Sequence, residues 1–434
     1  MLPIAGTPPG SPKEWPVRLR VAYIYRNFKR AGSIASLYLR TAERLSGEVE
    51  LTAVCGTRDR APTEAPIRFV DVDPVLRGSG RIRYAIECRS FASRATRVVL
   101  EDPKRYDVVH SEGFASRWAD VVTAHAVRRA EVDHYFQHVE SGAGVRRRLS
   151  PTLFRPQVQV VVGIERALYG SPAPLVVCPS DRIKRDLERW HGVPSELVEV
   201  IPYGIDVAAF RHDPSARARI REREGAGEET TVILAVADSF ERKGVARLIT
   251  ALGLSRAGPE LWVMGGDDPT EYLRRARSAG VAERVRFLGR RPYDELPGWY
   301  SACDVIAVVS RQDSWALPVI EGMAAGRVVL ASEFTGSNEA IVSGETGFVV
   351  GREGEPGAIA GLLDGPLGDP SLRAEIGARA AAEARRYGVE PAHAALLRVY
   401  TRAAQRRAER PVPALTERTR SWIAPPSPSR ERAG

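Results

Sequence analysis

Cysteine is scarce in this chain of 434 residues. Cys55, Cys88, Cys178 and Cys303 stand far apart, with no Cys-x-x-Cys pair and no histidine cluster beside them. That spacing excludes a structural zinc site and a disulfide framework, and it fits a reducing, cytoplasmic compartment. Lysine is scarcer than the charge suggests: five of the 63 basic residues are lysine, so the formal net charge of +9 is carried by arginine. Long apolar runs are missing as well. None approaches the ~20 residues that cross a bilayer, and the stretch from Met1 to Trp15, rich in Pro and Gly, has no apolar core of a signal segment. A soluble or peripheral protein is expected, compatible with contact at the inner face of a membrane. Zinc-finger spacing, RNP-like aromatics and a basic region backed by heptads are all absent, so nucleic acid is not an expected partner.

What is present is enough apolar residue, 44% of the chain, to give each of two ordinary domains its own core. Strand-like runs alternate with helical patterns, the mark of parallel α/β units. In the first half the runs are Leu19–Tyr25, Val49–Val54, Asp107–His110, Asp120–Ala124, Leu175–Cys178 and Val198–Ile201, with a helix over Ile34–Leu45. After a polar, arginine-rich stretch from Arg211 to Thr230 the alternation restarts with five strands: Thr231–Ala237, Glu260–Met264, Val285–Leu288, Val305–Val309 and Val328–Ala331. The expected fold class is α/β, two Rossmann-like doubly wound domains facing a cleft. Its expected parts are an amino-terminal segment over 1–16, an amino-terminal domain over 17–202 and a carboxyl-terminal domain over 203–385. A crossover helix over 386–410 and a Pro-, Ser- and Arg-rich tail over 411–434 complete it. Ligands of open α/β sheets lie beyond the carboxyl ends of the strands, so the loops after those strands are where chemistry is sought.

The most informative of those loops runs Asp313-Ser314-Trp315-Ala316-Leu317-Pro-Val-Ile-Glu321, directly after an apolar strand. The first acid sits on the strand-to-helix loop and the second inside the helix, a spacing that lets one ligand be gripped at two hydroxyl-rich groups. Two acids near a helix start also arise without function, since the macrodipole favours them there. Here Gly336-Ser-Asn-Glu-Ala-Ile341 and Gly344-Glu-Thr-Gly347 follow closely. The succession resembles the donor-binding core of the retaining glycosyltransferases of family 4, which share the GT-B fold. In that family the pattern is Glu-x7-Glu, so Asp313 is one methylene shorter. The segment Ile201-Pro-Tyr203-Gly-Ile-Asp206 is similar to the family's interdomain signature, where Asn usually stands in place of Tyr203.

Arg242-Lys243-Gly244 lies between a buried strand and a helix, where two cations can stabilise the charge gathering on a departing diphosphate. An exposed basic turn is the plainer reading of those residues. The flanking elements match the family's phosphate loop, in which an arginine usually stands at the position held here by Asp238; Arg242 takes over its role in this reading. The resemblance also implies a functional histidine at the end of an amino-terminal strand, which is His125, with His110 a weaker candidate. It implies that backbone at Gly32 and Ser33 approaches the diphosphate or acceptor, and that the Arg291-Pro292 turn meets the nucleobase. His134 and His138 have a His-x3-His spacing but no third ligand. Arg146-Arg-Arg148 reads as a solvated loop or as a contact with anionic lipid or acceptor.

The resemblance therefore implies transfer of a hexose, with retention, from a nucleoside diphosphate sugar to an acceptor hydroxyl. UDP or GDP is the expected nucleotide, and no obligatory metal is expected, since Asp71-Val-Asp73 has the letters of a metal motif but lies in the amino-terminal half. Catalytic roles fall to His125, Asp313, Arg242 and Lys243. Donor binding falls to Glu321, on the ribose, and to Gly32, Ser33, Ser314, Trp315, Ala316, Leu317, Arg291 and Pro292. A sugar, a lipid-linked sugar and a small molecule all stay open as acceptor. Two other readings of the whole chain stay open: a non-catalytic partner or binding protein of the same fold, and a sugar-nucleotide epimerase.

Overall fold

The computed structural model describes residues 18–28, 33–58, 64–73, 81–138, 156–170, 173–351, 355–409 and 412. Gly32, the cluster Arg146–Arg148, the segment 1–16 and all but residue 412 of the tail lie outside the described residues. The chain forms two compact units: Met1–Val122 with Leu153–Leu168 and Tyr400–Gly434, and Thr123–Thr152 with Tyr169–Val399.

In the first unit, β1 (Arg20–Ile24) is followed by the short β2 (Asn27–Phe28), β3 (Glu50–Cys55), the short β4 (Thr57–Arg58) and β5 (Ile67–Asp71). Then come β6 (Val108–Glu112) and β7 (Val121–Thr123), and the strands run in the order β5-β3-β1-β6-β7. Val21, Ala22, Tyr23 and Ile24 are wholly buried, the continuous apolar run of a parallel strand covered on both faces. β5 is a strand that the sequence pattern does not announce. Its Ile-Arg-Phe-Val-Asp is half-exposed at the sheet's edge, where charged side chains such as Arg68 and Asp71 are tolerated. The expected helix after β1 is present as Ser33–Leu45. His110 is wholly buried, its Nδ1 2.7 Å from the hydroxyl of Tyr400, which belongs to the helix Val389–Glu409.

In the second unit β8 (Leu175–Cys178) and β9 (Val198–Val200) pair in parallel. A six-stranded sheet follows, built from β10 (Val232–Val236), β11 (Glu260–Met264), β12 (Val285–Gly289), β13 (Val305–Val308), β14 (Val328–Ser332) and β15 (Phe348–Val350), in the order β12-β11-β10-β13-β14-β15. Its paired strands are parallel. Five strands were expected; the sixth, β15, is three residues long and enters the sheet beside β14 after the Gly344–Gly347 turn.

The arginine-rich stretch after Arg211 is likewise not a bare connection. Asp213 caps the helix Pro214–Glu224 by accepting from Ser215 N–H and Ala216 N–H, the usual way to satisfy a helix start. From that helix Arg217 and Arg221 both reach Asp304, at 2.8 and 3.3 Å. Asp304 in turn accepts from Val232 N–H at 2.8 Å, so the stretch is bound to the head of β10. Two helices, Pro370–Ala384 and Val389–Glu409, are joined by the short turn Arg385–Tyr387 and Gly388. Among the described residues no helix is long and apolar enough to cross a membrane.

Candidate active site

The carboxyl ends of β10 and β13 carry the two loops that matter, both in the second unit. Beyond β10 the chain turns sharply: Phe240 N–H donates to Asp267 Oδ2 at 2.7 Å and Lys243 N–H to Ser239 C=O at 2.9 Å. Gly244 then adopts φ 75° and heads the helix Val245–Leu254. A Cβ there would lie 2.3 Å from Val309 C=O, so the position takes glycine for its backbone angle and for its approach to the end of β13 alike. Arg311 N–H donates to Arg242 C=O at 2.8 Å, which ties the two loops side by side.

The second loop is held as firmly. Asp313 N–H donates to Phe334 C=O at 3.0 Å, and Gly336 N–H to Asp313 C=O at 2.8 Å. A Cβ on Gly336 would lie 1.9 Å from Ser314 C=O, which only glycine avoids. Ala316 N–H donates to Ser337 Oγ, and that hydroxyl donates back to Ala316 C=O, both at 3.1 Å. Trp315 is buried against Tyr387, ring centroids 5.8 Å apart. Leu317 opens the helix Leu317–Ala324.

These constraints bring Arg242, Lys243 and Asp313 together. Lys243 Nζ lies 2.6 Å and Arg242 Nη1 3.1 Å from the same oxygen, Asp313 Oδ2. Arg242 Nη2 grips both oxygens of Asp238, at 2.6 and 2.8 Å. The other Asp313 oxygen accepts from Trp315 N–H at 3.3 Å. Burial opposes ionisation of Asp313 most strongly; the charges of Lys243 and Arg242, with their hydrogen bonds, outweigh it and hold the carboxyl below its ordinary range. Two cations and two carboxylates thus meet in one cluster, with the most exposed group, Asp238, at its rim.

Glu321 lies one helix deeper and is buried, its Oε2 accepting from Tyr300 O–H at 2.7 Å. Burial and the Glu321 charge push the Tyr300 phenol well above its ordinary range, so it stays a donor to the carboxylate. His125 is half-buried with Nδ1 2.5 Å from the hydroxyl of Tyr203. The Arg291 guanidinium lies 5.1 Å from the ring centroid of Trp299, and Pro292 precedes the short turn Tyr293–Glu295. Ser33 is the first residue of the helix Ser33–Leu45 in the first unit.

Several further side chains bear on these loops. Ser180 Oγ donates to Ser314 C=O at 3.2 Å while capping the helix Asp181–His191. Glu339 accepts from Asp181 N–H and Arg182 N–H, at 3.0 and 3.1 Å, at the head of that helix. Burial lifts the Glu339 carboxyl above its ordinary range, and the two backbone donors offset part of that rise. His134 Nε2 sits 2.9 Å from Arg311 C=O, and its ring packs edge-on to Phe334; its place is beside the 311–313 loop. Tyr300 carries no motif of its own, whereas Ser337 lies within the Gly336–Ile341 run.

Residues 34–209 match Glycosyltransferase Family 4, and residues 216–383 match Glycosyl transferases group 1. A D-inositol 3-phosphate glycosyltransferase of Xylanimonas cellulosilytica is 32% identical over 324 residues, which covers 70% of this chain and 74% of the relative. The chain belongs to glycosyltransferase family 4. A GDP-mannose-dependent alpha-(1-6)-phosphatidylinositol monomannoside mannosyltransferase of Mycolicibacterium smegmatis is 36% identical over 195 residues, 42% of this chain and 50% of that relative. Among solved structures, that of WaaG, a glycosyltransferase involved in lipopolysaccharide biosynthesis, superposes with a TM-score of 0.72 at 21% identity, covering 88% of this chain and 99% of that one. The fold is that of the GT-B glycosyltransferases. Set against the family 4 pattern, three departures are bonded to residues assigned to the site: Asp238 to Arg242, Asp313 to Arg242 and Lys243, and Tyr203 to His125.

Proposed function

We propose that this family 4 glycosyltransferase moves a hexosyl group from a nucleoside diphosphate sugar to an acceptor hydroxyl, with retention and without an obligatory metal. The observation that carries the reading is the convergence of Lys243 and Arg242 on Asp313 Oδ2 at the head of the helix Val245–Leu254. As the glycosidic bond to the diphosphate breaks, negative charge gathers on the leaving oxygens. Two fixed cations beside a helix start supply the compensation that a metal would otherwise give. Arg242 stands in for the arginine that relatives carry at position 238. Asp313 faces the departing sugar, Glu321 the ribose, and His125 the sugar from the opposite side. The leaving phosphate takes the acceptor's proton on the face where the new bond forms, which keeps the configuration.

The named relatives support a nucleoside diphosphate donor, GDP-mannose in one of them, and acceptors that carry an inositol phosphate, free or in a lipid. A polyol phosphate is therefore the first acceptor class to test. The free, buried cysteines and the match to a lipid-modifying relative support action in the cytoplasm, at the inner membrane face when the acceptor is lipid-linked.

The test is a thermal-shift comparison of the chain and Lys243→Ala with UDP, GDP, ADP and dTDP, each with and without Mg²⁺. One nucleotide at a hundredfold its dissociation constant is expected to contribute about 2.7 kcal/mol, equally with and without Mg²⁺, and to lose that shift in the variant. The sugar nucleotide so identified is then offered with inositol phosphates, and the anomeric configuration of the product read by NMR. No shift with any nucleotide overturns the reading in favour of a non-catalytic partner; an inverted product overturns retention.

A further inference from the structure

Arg242 is held between two carboxylates of unlike standing. Its Nη1 is on Asp313, whose side chain is 10% exposed and which also takes Lys243 Nζ and Trp315 N–H. Its Nη2 is on Asp238, whose side chain is 60% exposed. Among the described residues Arg242 is the hydrogen-bond partner that the structure gives the Asp238 side chain. An anion arriving from solvent therefore meets a guanidinium whose outer edge is already occupied, and the occupant is the group most easily moved.

The magnitudes decide which carboxylate yields. Stripping the nearly buried Asp313 of its cations leaves an uncompensated buried charge, which costs several kcal/mol. An exposed pair such as Asp238–Arg242 is worth at most about 1 kcal/mol, and a phosphate offers the same guanidinium edge a charge-assisted, two-pronged acceptor. The exchange needs no large movement of Arg242, because Nη1 stays on Asp313 while Nη2 changes partner.

We propose that Asp238 is the counter-ion which the donor's diphosphate displaces from Arg242, so that this carboxylate sets the affinity of the site for a diphosphate. The inference rests on the nucleoside diphosphate reading given above. It gives a physical meaning to the acid that stands where relatives of this family carry arginine: the charge at the rim is reversed, and the empty site is held neutral rather than strongly cationic. Asp238 is a positioning and specificity residue in this scheme, because it parks the guanidinium and then competes with the ligand.

The experiment measures binding of UDP and GDP, and of uridine and guanosine as phosphate-free controls, to the full chain, Asp238→Asn and Asp238→Glu by titration calorimetry. Asp238→Asn is expected to tighten the nucleoside diphosphate about threefold to tenfold, the size of one exposed ion pair plus the repulsion removed. Nucleoside binding is expected to be unchanged, and Asp238→Glu, which keeps the charge, to stay close to the parent. The gain in Asp238→Asn is expected to shrink between about 0.05 M and about 0.5 M salt, where exposed charges are screened. Binding that is unchanged or weaker in Asp238→Asn overturns the proposal while leaving the donor reading in place, and so does an Asp238→Glu variant that tightens as much as the amide. A parent chain that binds neither diphosphate overturns the donor reading and this proposal with it.

Discussion

Lys243 Nζ lies 2.6 Å from Asp313 Oδ2, across 70 residues of sequence and nearly out of contact with solvent on both sides. With Arg242 on the same oxygen, Asp313 is both a candidate contact for the sugar and the anion that makes two neighbouring cations tolerable before any ligand arrives. Site and stability are therefore linked through one carboxylate.

Asp313→Asn is expected to lower stability by about 3 kcal/mol at neutral pH, because two cations lose their shared partner. The sign of the pH dependence follows from the lowered carboxyl. A group whose folded value is depressed contributes stability that is present above its unfolded value, 3.8 for Asp313, and lost as pH falls through the lower folded value. Urea unfolding of the parent and the variant between neutral and strongly acid pH is expected to show a gap that is fully open above about pH 4 and closes below it. A gap that stays constant into acid sinks the assignment of the ion cluster as the source of the stability.

His125 and Tyr203 are bonded at 2.5 Å across 78 residues, and substitutions there are expected to separate turnover from nucleotide binding. His125→Ala is expected to lower kcat about a hundredfold or more, the usual contribution of a positioned acid-base group, while the thermal shift with the preferred nucleoside diphosphate is kept. Tyr203→Phe keeps the ring and removes only the hydroxyl that orients the imidazole, and a loss of about tenfold is expected. Turnover at the parent rate in both variants, measured by release of the nucleoside diphosphate, removes His125 from the chemistry.

The strands β1, β3, β10, β11, β13 and β14 were legible because each is a short, mostly apolar run, and parallel burial on both faces writes that pattern directly into the chain. β5 and β15 were not. Ile67–Asp71 mixes two charged residues into a short apolar run at a sheet edge, and Phe348–Val350 is too short to stand out from the turn before it. The site divides the same way. Arg242, Lys243, Asp313 and Glu321 sit at fixed offsets from strands that can be read, so the placement of the first three on neighbouring loops and of Glu321 in the helix that follows comes from the pattern. The partners that complete them, Tyr300 under Glu321, Ser180 and Ser337 around residues 314–316, and Glu339 on the helix Asp181–His191, are joined by tertiary contact. No local spacing records those contacts. Asp238 was visible as an odd residue, but that it holds Arg242 by both oxygens is a fact of geometry.

Gly336 gives the sharpest test of whether the shape of the 313–317 loop matters apart from the charges on it. Its N–H holds Asp313 C=O, and a Cβ at this position would stand 1.9 Å from Ser314 C=O and 2.9 Å from Ser180 Oγ. The first of those contacts is with backbone, so the clash cannot be relieved by rotating a side chain. Gly336→Ala must push Ser314 away, and with it the carboxylate of Asp313 and the turn that leads into Glu321. Every charge of the cluster is retained in the variant, so any loss reports position alone. A displacement of about 1 Å at a reacting centre costs on the order of a hundredfold in rate, and that loss in kcat/KM is the expected outcome, with a destabilisation of about 1–3 kcal/mol from the strain. Unchanged kcat/KM in Gly336→Ala contradicts the claim that this loop positions the donor, because the same overlap that forbids the extra methyl is what fixes Asp313 opposite Lys243.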